Sequence, residues 1–420
     1  MSGPLGAALR PLGLRPVSWV HLRTHHRPGA GISALYRVEA VPRTGTAGTI
    51  PPLRLQVGAT TASFTAAAGV PTARGRLGGA PLRLWVHPRD PVLPGLAWAT
   101  SADTVARSLF GGQSAGRTAV DLVAYRPLRR AVVRATLSGT DGRDRPDGSA
   151  GRTAYLKVVQ PRLASGLRHR LQLAADAGLP VPPLLDPVSG AGPAAEGVLP
   201  LGGLPGLPLH QQLRAAGVSA LKEPLTPEAL TGLLDRLPAA ALDLPRRPAW
   251  SERILDYAAG AAVALPDGAE RIMRCARGIA AMTAATDPGP VVPSHGDFHG
   301  GNLLAGASGG NLRITGLLDV DALGPGHRVD DLACFLGHLA VLAALDPVNT
   351  GLQEAAAWCG RGFTRQADPA ALYCRAAAVS LTLVAGAAGR SSAAARRTLA
   401  AAEELLDRSR GGRPAVAHGG

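Results

Sequence analysis

Apolar and polar positions alternate with a period of two through much of the first 150 residues. The runs SALYRVEAV, LRLQVG, LRLWVHP, VDLVAY and AVVRATLS are separated by glycine and proline, which is typical of β-strands. One short helix, SADTVARSLFGG, is predicted among them, because Ser101 can cap its start and Gly111 can end it. Residues 139–152 are polar and predict a long connection between the strands AVVRATLS and TAYLKVV.

After about residue 200 the apolar residues follow helical spacing. The predicted helices are PEALTGLLDRLPAAAL, SERILDYAAGAAVAL, GAERIMRCARGIAAMTAAT, RVDDLACFLGHLAVLAAL, LQEAAAWCGRGFTRQ, PAALYCRAAAVSLTLVAGAAG and SAAARRTLAAAEELLDRS. The glycine-rich residues 199–209 lie where the period changes and predict a hinge. One segment, VVPSHGDFHGGNLLAGASGGNLRITGLLDVDALG, interrupts the helices and predicts a loop followed by a β-hairpin. The fold class is therefore α+β, with strands first and helices second.

The net charge of +14 is concentrated at the N-terminus. Residues 1–150 hold 19 arginines and 7 acidic residues, whereas the other 270 residues hold 25 basic and 23 acidic ones. The arginines are scattered through the strand-like text and form no nucleic-acid-binding module. We therefore predict no nucleic-acid partner.

Cysteine usage and hydropathy indicate the compartment. The four cysteines have no CxxC spacing and are predicted to be buried free thiols of a cytoplasmic protein. Prolines interrupt the N-terminal segment where a signal peptide needs a continuous apolar core. No stretch reaches about 18 uninterrupted apolar residues with membrane-like flanks, so no membrane partner is predicted.

The hairpin segment gathers hard oxygen ligands. With its turn centred near residues 308 and 309, the antiparallel strands bring Asp319 to the level of Asp297 and Phe298. Asp319 follows the apolar run ITGLL and needs a cation or strong donors to offset its desolvation. Asp321 lies two residues further on, hence on the same face of an extended segment. Two carboxylates and the Asn302 amide suit Mg²⁺.

Phosphoryl transfer requires a positioned nucleophile, a metal on the phosphates and a cationic donor. Asp297 can deprotonate an attacking hydroxyl. Only two lysines, Lys157 and Lys222, occur among the 44 basic residues. Lys157 lies in the strand-like TAYLKVV and can supply the cation, whereas Lys222 in LKEP is predicted to be solvated surface.

These residues resemble the aminoglycoside phosphotransferase and choline kinase family, small-molecule relatives of protein kinases. The family's H-G-D-x-x-x-x-N loop corresponds to HGDFHGGN, and its D-x-D strand to LLDVDALG. The resemblance implies a protein-kinase-like two-lobe fold, with a strand-rich N-terminal lobe and a mostly helical C-terminal lobe. It also implies ATP or GTP and Mg²⁺ as cofactors, with the nucleotide and a small-molecule hydroxyl compound as partners.

The resemblance also assigns roles to single residues. Asp297 matches the catalytic base, and His295 matches the histidine that braces the loop. Asn302 and Asp319 match the magnesium ligands, with Asp321 as a further candidate. Asp331 in DDLA matches a structural aspartate at a helix start, and Lys157 in YLKVV matches the nucleotide-phosphate lysine.

The chain departs from the family pattern in two places. The helix after the lysine strand has no acidic residue before Asp176, although the family has a glutamate there; Arg168 and His169 occupy the region. No glycine-rich phosphate loop precedes the lysine either. The turn between VDLVAY and AVVRATLS reads RPLRR, which leaves Arg129 and Arg130 as candidate phosphate contacts.

The resemblance predicts four regions. They are an N-terminal strand-rich, cap-like region (1–110) as in maltokinase-like members, a kinase-like N-lobe (111–203), a helical C-lobe with the catalytic loop (204–410) and a flexible tail (411–420).

Three functions compete. The first is transfer of a phosphate from ATP or GTP to a hydroxyl of an aminoglycoside, sugar or amino alcohol. A metallophosphoesterase is a second interpretation of GDFHG, but the further G-D and G-N-H segments of that class are missing. A non-catalytic kinase-like binding module is the third, motivated by the missing glutamate. The oligomeric state is not predicted.

Overall fold

The computed structural model describes residues 1–27, 31–44, 51–111, 116–138, 152–186, 196–216, 226–308 and 311–411. The chain divides into two compact units. The first contains Met1–Arg168 and Pro183–Gly203, and the second contains His169–Pro182 and Leu204–Gly420. The first is rich in antiparallel strands and the second is mostly helical, which confirms the predicted α+β class. The predicted tail, the hairpin turn at 309–310 and most of the 139–152 connection lie outside the described residues.

A five-stranded antiparallel sheet with the order β1-β2-β3-β5-β4 begins the first unit. Its elements are α1 (Ser2–Leu9), β1 (Leu14–Arg27), β2 (Gly31–Pro42), β3 (Leu53–Thr60), β4 (Ala73–Leu77) and β5 (Ala80–Val86). The apolar side of α1, with Leu5 and Leu9, packs on buried residues of the sheet such as Val38, Val57 and Leu84. This small core closes one face of the sheet.

Two N-terminal elements, α1 and β1, were not predicted from the sequence. Prolines at 4, 11 and 16 interrupt both patterns. The structure accommodates Pro16 because β1 is an edge strand and its register shifts between Pro16 and Ser18. An edge strand tolerates a missing N–H at such a bulge. The prediction of a single helix in this region was therefore wrong.

A four-stranded antiparallel sheet, in chain order β6-β7-β8-β9, completes the first unit. Its strands are β6 (Thr118–Arg126), β7 (Arg130–Leu137), β8 (Arg152–Val159) and β9 (Val198–Gly202). Two short helices, α2 (Leu96–Ala99) and α3 (Ala102–Val105), the latter followed by the π-helical turn Ala106–Phe110, precede it. Residues 199–209, predicted as a hinge, include part of β9.

A buried polar network links the five-stranded sheet to the four-stranded one. Trp85 Nε1 donates to the Tyr125 hydroxyl at 3.1 Å, and that hydroxyl donates to Asp90 Oδ2 at 2.7 Å. The same oxygen accepts the Leu128 N–H at 2.9 Å, and Oδ1 accepts the Val92 N–H at 3.0 Å. Asp90 is fully buried, so these donors offset the desolvation of its carboxylate.

The second unit begins within α4 (Pro161–Asp176), whose residues from His169 onward belong to it. It contains two small antiparallel sheets, with the order β10-β12-β13 and the pair β11-β14. The remaining elements are β10 (Leu207–Pro208), α5 (Leu209–Ala216), α6 (Pro227–Asp235), α7 (Ile254–Ala264), α8 (Ala269–Ala285), β11 (Val291–Ser294), β12 (Leu303–Ser308), β13 (Asn311–Leu317), β14 (Gly324–His327), α9 (Arg328–Leu345), α10 (Thr350–Phe363), α11 (Pro369–Thr382), α12 (Val384–Ala388) and α13 (Ser392–Ser409).

The apolar segment Pro369–Ala388 has the length and composition of a membrane span, with a mean hydropathy of 1.5. In the structure it is interrupted at Leu383, between α11 and α12, although the sequence predicted one helix. Its apolar window is 67% buried within the protein. Arg375 at its centre pairs with Asp330 at 3.3 Å and donates to Thr286 Oγ1 at 3.0 Å. The segment is therefore a core helix of the second unit.

The first unit carries a buried imidazole that makes its stability depend on pH. Burial lowers the pKa of His87 from 6.5 to about 4, and its Nδ1 has no hydrogen-bond partner among the described residues. The unfolded chain binds this proton at a higher pH than the folded chain does. The contribution of the neutral His87 ring to the free energy of unfolding is therefore fully present above pH 6.5 and is lost as the pH falls towards 4.

We expect the free energy of unfolding to fall by about 1 kcal/mol per pH unit below 6.5 from this residue, and the His87→Phe variant to lose that contribution. The measurement is urea unfolding at pH 7.5 and 5.0, followed by tryptophan fluorescence; the difference between the two pH values cancels the packing change. Part of the fall should remain, because the pKa of His25 is also lowered to about 4. Equal falls in both proteins would contradict the assignment.

Candidate active site

The loop that connects β11 to β12 is held by one carboxylate. Asp331 lies in the first turn of α9 and is 1% exposed. Its Oδ2 accepts the Ser294 hydroxyl at 3.0 Å and the His295 N–H at 2.9 Å, and its Oδ1 accepts the Gly296 N–H at 2.8 Å. Burial raises the pKa of Asp331, and the nearby His295 and these donors oppose that shift. The carboxylate therefore fixes three consecutive residues of the loop.

His295 braces the loop from inside. Its fully buried ring accepts the Asp297 N–H on Nδ1 at 3.3 Å, so its proton is on Nε2 and is donated to the Leu318 carbonyl at 3.0 Å. The ring thus connects the loop to the residue before Asp319. This is a positioning geometry; the role of His295 in catalysis stays a prediction.

Asp297 and Asn302 lie beside one another at the start of the hairpin. The Asn302 side-chain N–H₂ donates to the Asp297 carbonyl at 2.9 Å and lies 3.4 Å from Asp297 Oδ2. Its Oδ1 is therefore turned away from Asp297. The Asp297 side chain is 28% exposed, so the carboxylate is oriented by the loop while remaining open to solvent.

The hairpin register differs from the prediction. Ser308 pairs with Asn311 and Leu303 with Leu317, with a shift between Leu304 and Ala305. The Leu318 N–H donates to the Asn302 carbonyl at 2.7 Å. Asp319 therefore directly follows the residue that lies opposite Asn302, and it does not lie opposite Asp297 and Phe298. The predicted turn centre was too early in the chain, and the corrected register places Asp319 next to the amide with which it was predicted to bind metal.

The backbone at Asp319 separates it from Asp321. Asp319 has a left-handed conformation, φ 58° and ψ 46°, and Val320–Ala322 form one turn of 3-10 helix. The prediction of one shared face on an extended segment was therefore wrong. Asp321 lies close enough to Arg170 to affect the pKa of that guanidinium. Positive φ in a residue other than glycine is uncommon and recurs at functional sites.

Two neutral imidazoles stack beside Asp297. The rings of His299 and His338 lie 4.0 Å apart with an interplanar angle of 14°. Burial and the neighbouring His338 lower the pKa of His299 to about 2, so its 3.8 Å approach to Asp297 Oδ1 is not an ion pair at neutral pH. His299 Nδ1 accepts the Gly301 N–H at 3.0 Å, which directs the Nε2 proton towards Asp297. Burial also lowers the pKa of His338.

Sequence reasoning missed two residues of this cluster. Cys334 is buried, with Sγ 3.9 Å from Asp297 Oδ1, and His338 Nδ1 donates to the Cys334 carbonyl at 2.9 Å. The available signal was their separation by four residues, one helical turn, directly after the Asp330–Asp331 pair. As predicted, all four cysteines are buried free thiols.

The candidate nucleotide contacts belong to the first unit. Lys157 is 9% exposed and lies in the middle of β8, paired in register with Val132 and Leu199. Arg129 is exposed in the turn after β6, and Arg130 begins β7. The helix that follows β8 is α4, which has no acidic residue before Asp176.

The residues present fit a magnesium ion. Among the described residues no group of three or more His, Cys, Asp or Glu side chains is arranged to hold a metal. Mg²⁺ does not need such a cage, because it keeps waters and shares substrate phosphates while using one or two carboxylates. Asn302 and Asp319 offer an amide and a carboxylate oxygen at the same end of the hairpin, which is a hard donor set of that kind.

A sequence model of the family described as "Phosphotransferase enzyme family" matches residues 145–372, more than half of the 420-residue chain. The chain belongs to this family. It is therefore a phosphotransferase that acts on a small-molecule hydroxyl group, as the sequence predicted. The further likeness to maltokinase-like members stays a prediction. No curated protein matches the chain.

Several solved structures are similar to the chain at low identity. An aminoglycoside phosphotransferase from Streptomyces rimosus is 20% identical, with 66% of this chain and 96% of that chain covered and a TM-score of 0.41. Choline kinase from Cryptosporidium parvum is 10% identical, with 74% and 94% covered and a TM-score of 0.42. A thermostable mutant of an aminoglycoside phosphotransferase, in complex with AMP-PNP and hygromycin B, is 14% identical, with 74% and 99% covered and a TM-score of 0.45.

The loop backbone requires glycine at position 296. Gly296 has φ +76°, and an added Cβ would lie 2.8 Å from Ala322 Cβ and 3.2 Å from its carbonyl oxygen. Gly289 provides a matched control, because it has φ +78° but nothing within 4 Å of its added Cβ.

We expect Gly289→Ala to lower the free energy of unfolding by about 1–2 kcal/mol through backbone strain alone. Gly296→Ala should lower it by about 1–3 kcal/mol more, because Ala322 must move as well. Urea denaturation of both variants measures the difference. Equal losses would show that the loop does not pack against Ala322.

Proposed function

We propose that this phosphotransferase transfers the γ-phosphoryl group of ATP or GTP to a hydroxyl of a small molecule, with Mg²⁺ as the metal. The observation that carries the proposal is the Asp297 carboxylate, which is open to solvent yet set by a loop whose backbone is hydrogen-bonded to Asp331. A base held in this way can accept a proton without reorganising the loop.

Asp297 is the proposed base that orients the acceptor hydroxyl and takes up its proton during in-line attack on the γ-phosphorus. His295 is a positioning residue, because it holds the Asp297 N–H and the Leu318 carbonyl. The neutral ring of His299 directs its Nε2–H towards Asp297 Oδ1. Asn302 and Asp319 would hold the Mg²⁺, which supplies charge neutralisation on the nucleotide phosphates.

In the first unit, Lys157 is the proposed nucleotide-phosphate lysine, supported by its burial in the strand that follows the β6–β7 hairpin. Protein kinases carry the equivalent lysine on the third strand, after a phosphate-covering turn between the first two. Arg129 and Arg130 of the β6–β7 turn are the proposed additional phosphate contacts.

The proposed acceptor is an uncharged polyol such as a sugar, in preference to a polycationic aminoglycoside or an amino alcohol. Two observations support this. Residues 151–420 carry 25 basic and 23 acidic residues and are nearly neutral. Beside Asp297 the stacked His299 and His338 are uncharged, because burial lowers both pKa values. A polycation would gain more from an acidic surface than from this pair.

We further propose a cytoplasmic location, since buried free thiols are typical of reducing compartments.

The first prediction for this site concerns the metal. Wild-type protein should bind ATP or GTP only when Mg²⁺ is present, and Asp319→Ala should lose this Mg²⁺-dependent binding, because the variant removes a carboxylate ligand. Titration calorimetry with and without Mg²⁺ measures it. Asp321→Ala is the matched control, since Asp321 lies within the 3-10 turn that Asp319 precedes and is close to Arg170. A larger loss of Mg²⁺-dependent nucleotide binding in Asp321→Ala than in Asp319→Ala would show that Asp321, and not Asp319, is the metal ligand.

The second prediction concerns the base. Asp297→Asn should lower kcat by about 10²–10⁴-fold while leaving the Kd for nucleotide within about threefold of wild type, because the amide keeps the side chain's shape but cannot take a proton. The assay is phosphate transfer from radiolabelled nucleotide to a panel of maltose, other sugars, choline and aminoglycosides. A kcat for Asp297→Asn close to that of the wild type would contradict the role of Asp297 as the base.

A further inference from the structure

The turn between β6 and β7 has an unusual backbone. Leu128 at its tip has φ 60°, although it is not a glycine, and its side chain is 5% exposed. Arg129 N–H donates to the Arg126 carbonyl at 3.0 Å and closes the turn. A β-hairpin turn that approaches phosphates through its backbone is ordinarily rich in glycine and free to adjust. In this chain the sequence Arg-Pro-Leu-Arg-Arg requires another means of holding the tip.

The Leu128 peptide groups are held from both sides. The N–H donates to Asp90 Oδ2 at 2.9 Å, and the carbonyl accepts from Gln160 Nε2 at 2.9 Å. Asp90 comes from the segment between β5 and α2, within the N-terminal region, whereas Gln160 directly follows the lysine strand β8. The tip of the turn is thus connected both to the N-terminal region and to the strand that carries Lys157.

The Asp90 carboxylate is itself fixed. Its Oδ2 also accepts the Tyr125 hydroxyl at 2.7 Å, and its Oδ1 accepts the Val92 N–H at 3.0 Å. Trp85 of β5 donates to the Tyr125 hydroxyl. Because the carboxylate is fully buried, losing the Leu128 N–H would remove one of the donors that offset its desolvation. The N–H bond to Leu128 is therefore a rigid connection.

We propose that Asp90 is a positioning residue for nucleotide binding: with Gln160 it holds the Leu128 peptide so that the β6–β7 turn is preformed for the nucleotide phosphates. The N-terminal region thereby supplies the carboxylate that replaces the missing glycine-rich sequence. This inference rests on the proposed function, because it assumes that the turn meets phosphates.

The decisive variants remove the two connections separately. Asp90→Asn keeps the side chain's size but has only one acceptor oxygen. It can therefore accept a hydrogen bond from the Leu128 N–H or from the Val92 N–H, but not from both. Gln160→Met removes the donor to the Leu128 carbonyl at a partly exposed position and should leave the fold intact. Tyr125→Phe is the stability control, since it removes one donor to Asp90 and leaves the Leu128 bond in place.

The measurement is titration calorimetry of each full-length protein with Mg²⁺-ATP and Mg²⁺-GTP, and with adenosine and guanosine, which have no phosphates. Asp90→Asn should raise the Kd for the triphosphate by about tenfold, and Gln160→Met by about threefold. Neither should change the nucleoside Kd by as much as twofold. Tyr125→Phe should lower the Tm and leave the Kd values for the triphosphate and for the nucleoside unchanged. Amide exchange of residues 128–130 should be faster in Asp90→Asn.

The outcomes separate the two levels of the proposal. Absence of triphosphate binding by the wild-type protein would overturn the proposed function, and this inference with it. Wild-type binding together with unchanged triphosphate affinity in Asp90→Asn and Gln160→Met would overturn this inference alone. Equal losses for nucleoside and triphosphate, or a matching loss in Tyr125→Phe, would show that Asp90 acts on stability only.

Discussion

The candidate active site depends on the buried carboxylate of Asp331. Three consecutive donors of the 294–296 segment converge on it, and a side chain so far from water is tolerated only because those donors are present. The dependence is mutual, since the backbone direction that presents Asp297 to solvent is set by the same bonds. Burial also raises the pKa of the adjacent Asp330, to about 6, and the neighbouring Arg375 opposes that shift.

The residues of the site could be read from the sequence because their spacing encodes a local loop and hairpin. Asp297, Asn302 and Asp319 follow from one motif and one antiparallel pairing, and local pairing needs little information from the rest of the chain. The details that failed were those that local spacing cannot determine. A turn later in the chain than predicted and a bulge after Leu304 together changed the level of Asp319, and a left-handed residue changed the direction of Asp321. Both depend on backbone angles that side-chain periodicity does not report.

Contacts between distant parts of the chain were beyond the sequence. Nothing near Asp90 indicates that it accepts the Leu128 N–H, 38 residues away, and His338 became relevant only when it stacked on His299. Similarly, β1 was missed because its proline is acceptable only on an edge strand, and being an edge is a property of the whole sheet. The helices of the second unit, by contrast, were largely anticipated, because each shows its own apolar periodicity.

The division of the chain into units has a consequence for synthesis on the ribosome. The first unit ends at Arg168, resumes at Pro183 and is complete only at Gly203, after part of the second unit has been made. The last strand of its four-stranded sheet, β9, covers the edge of β8. Until β9 emerges, the nascent sheet presents unpaired N–H and carbonyl groups along the strand that carries Lys157, the kind of edge that recruits other chains. Pairing of β9 with β8, once both have emerged from the ribosome, closes that edge.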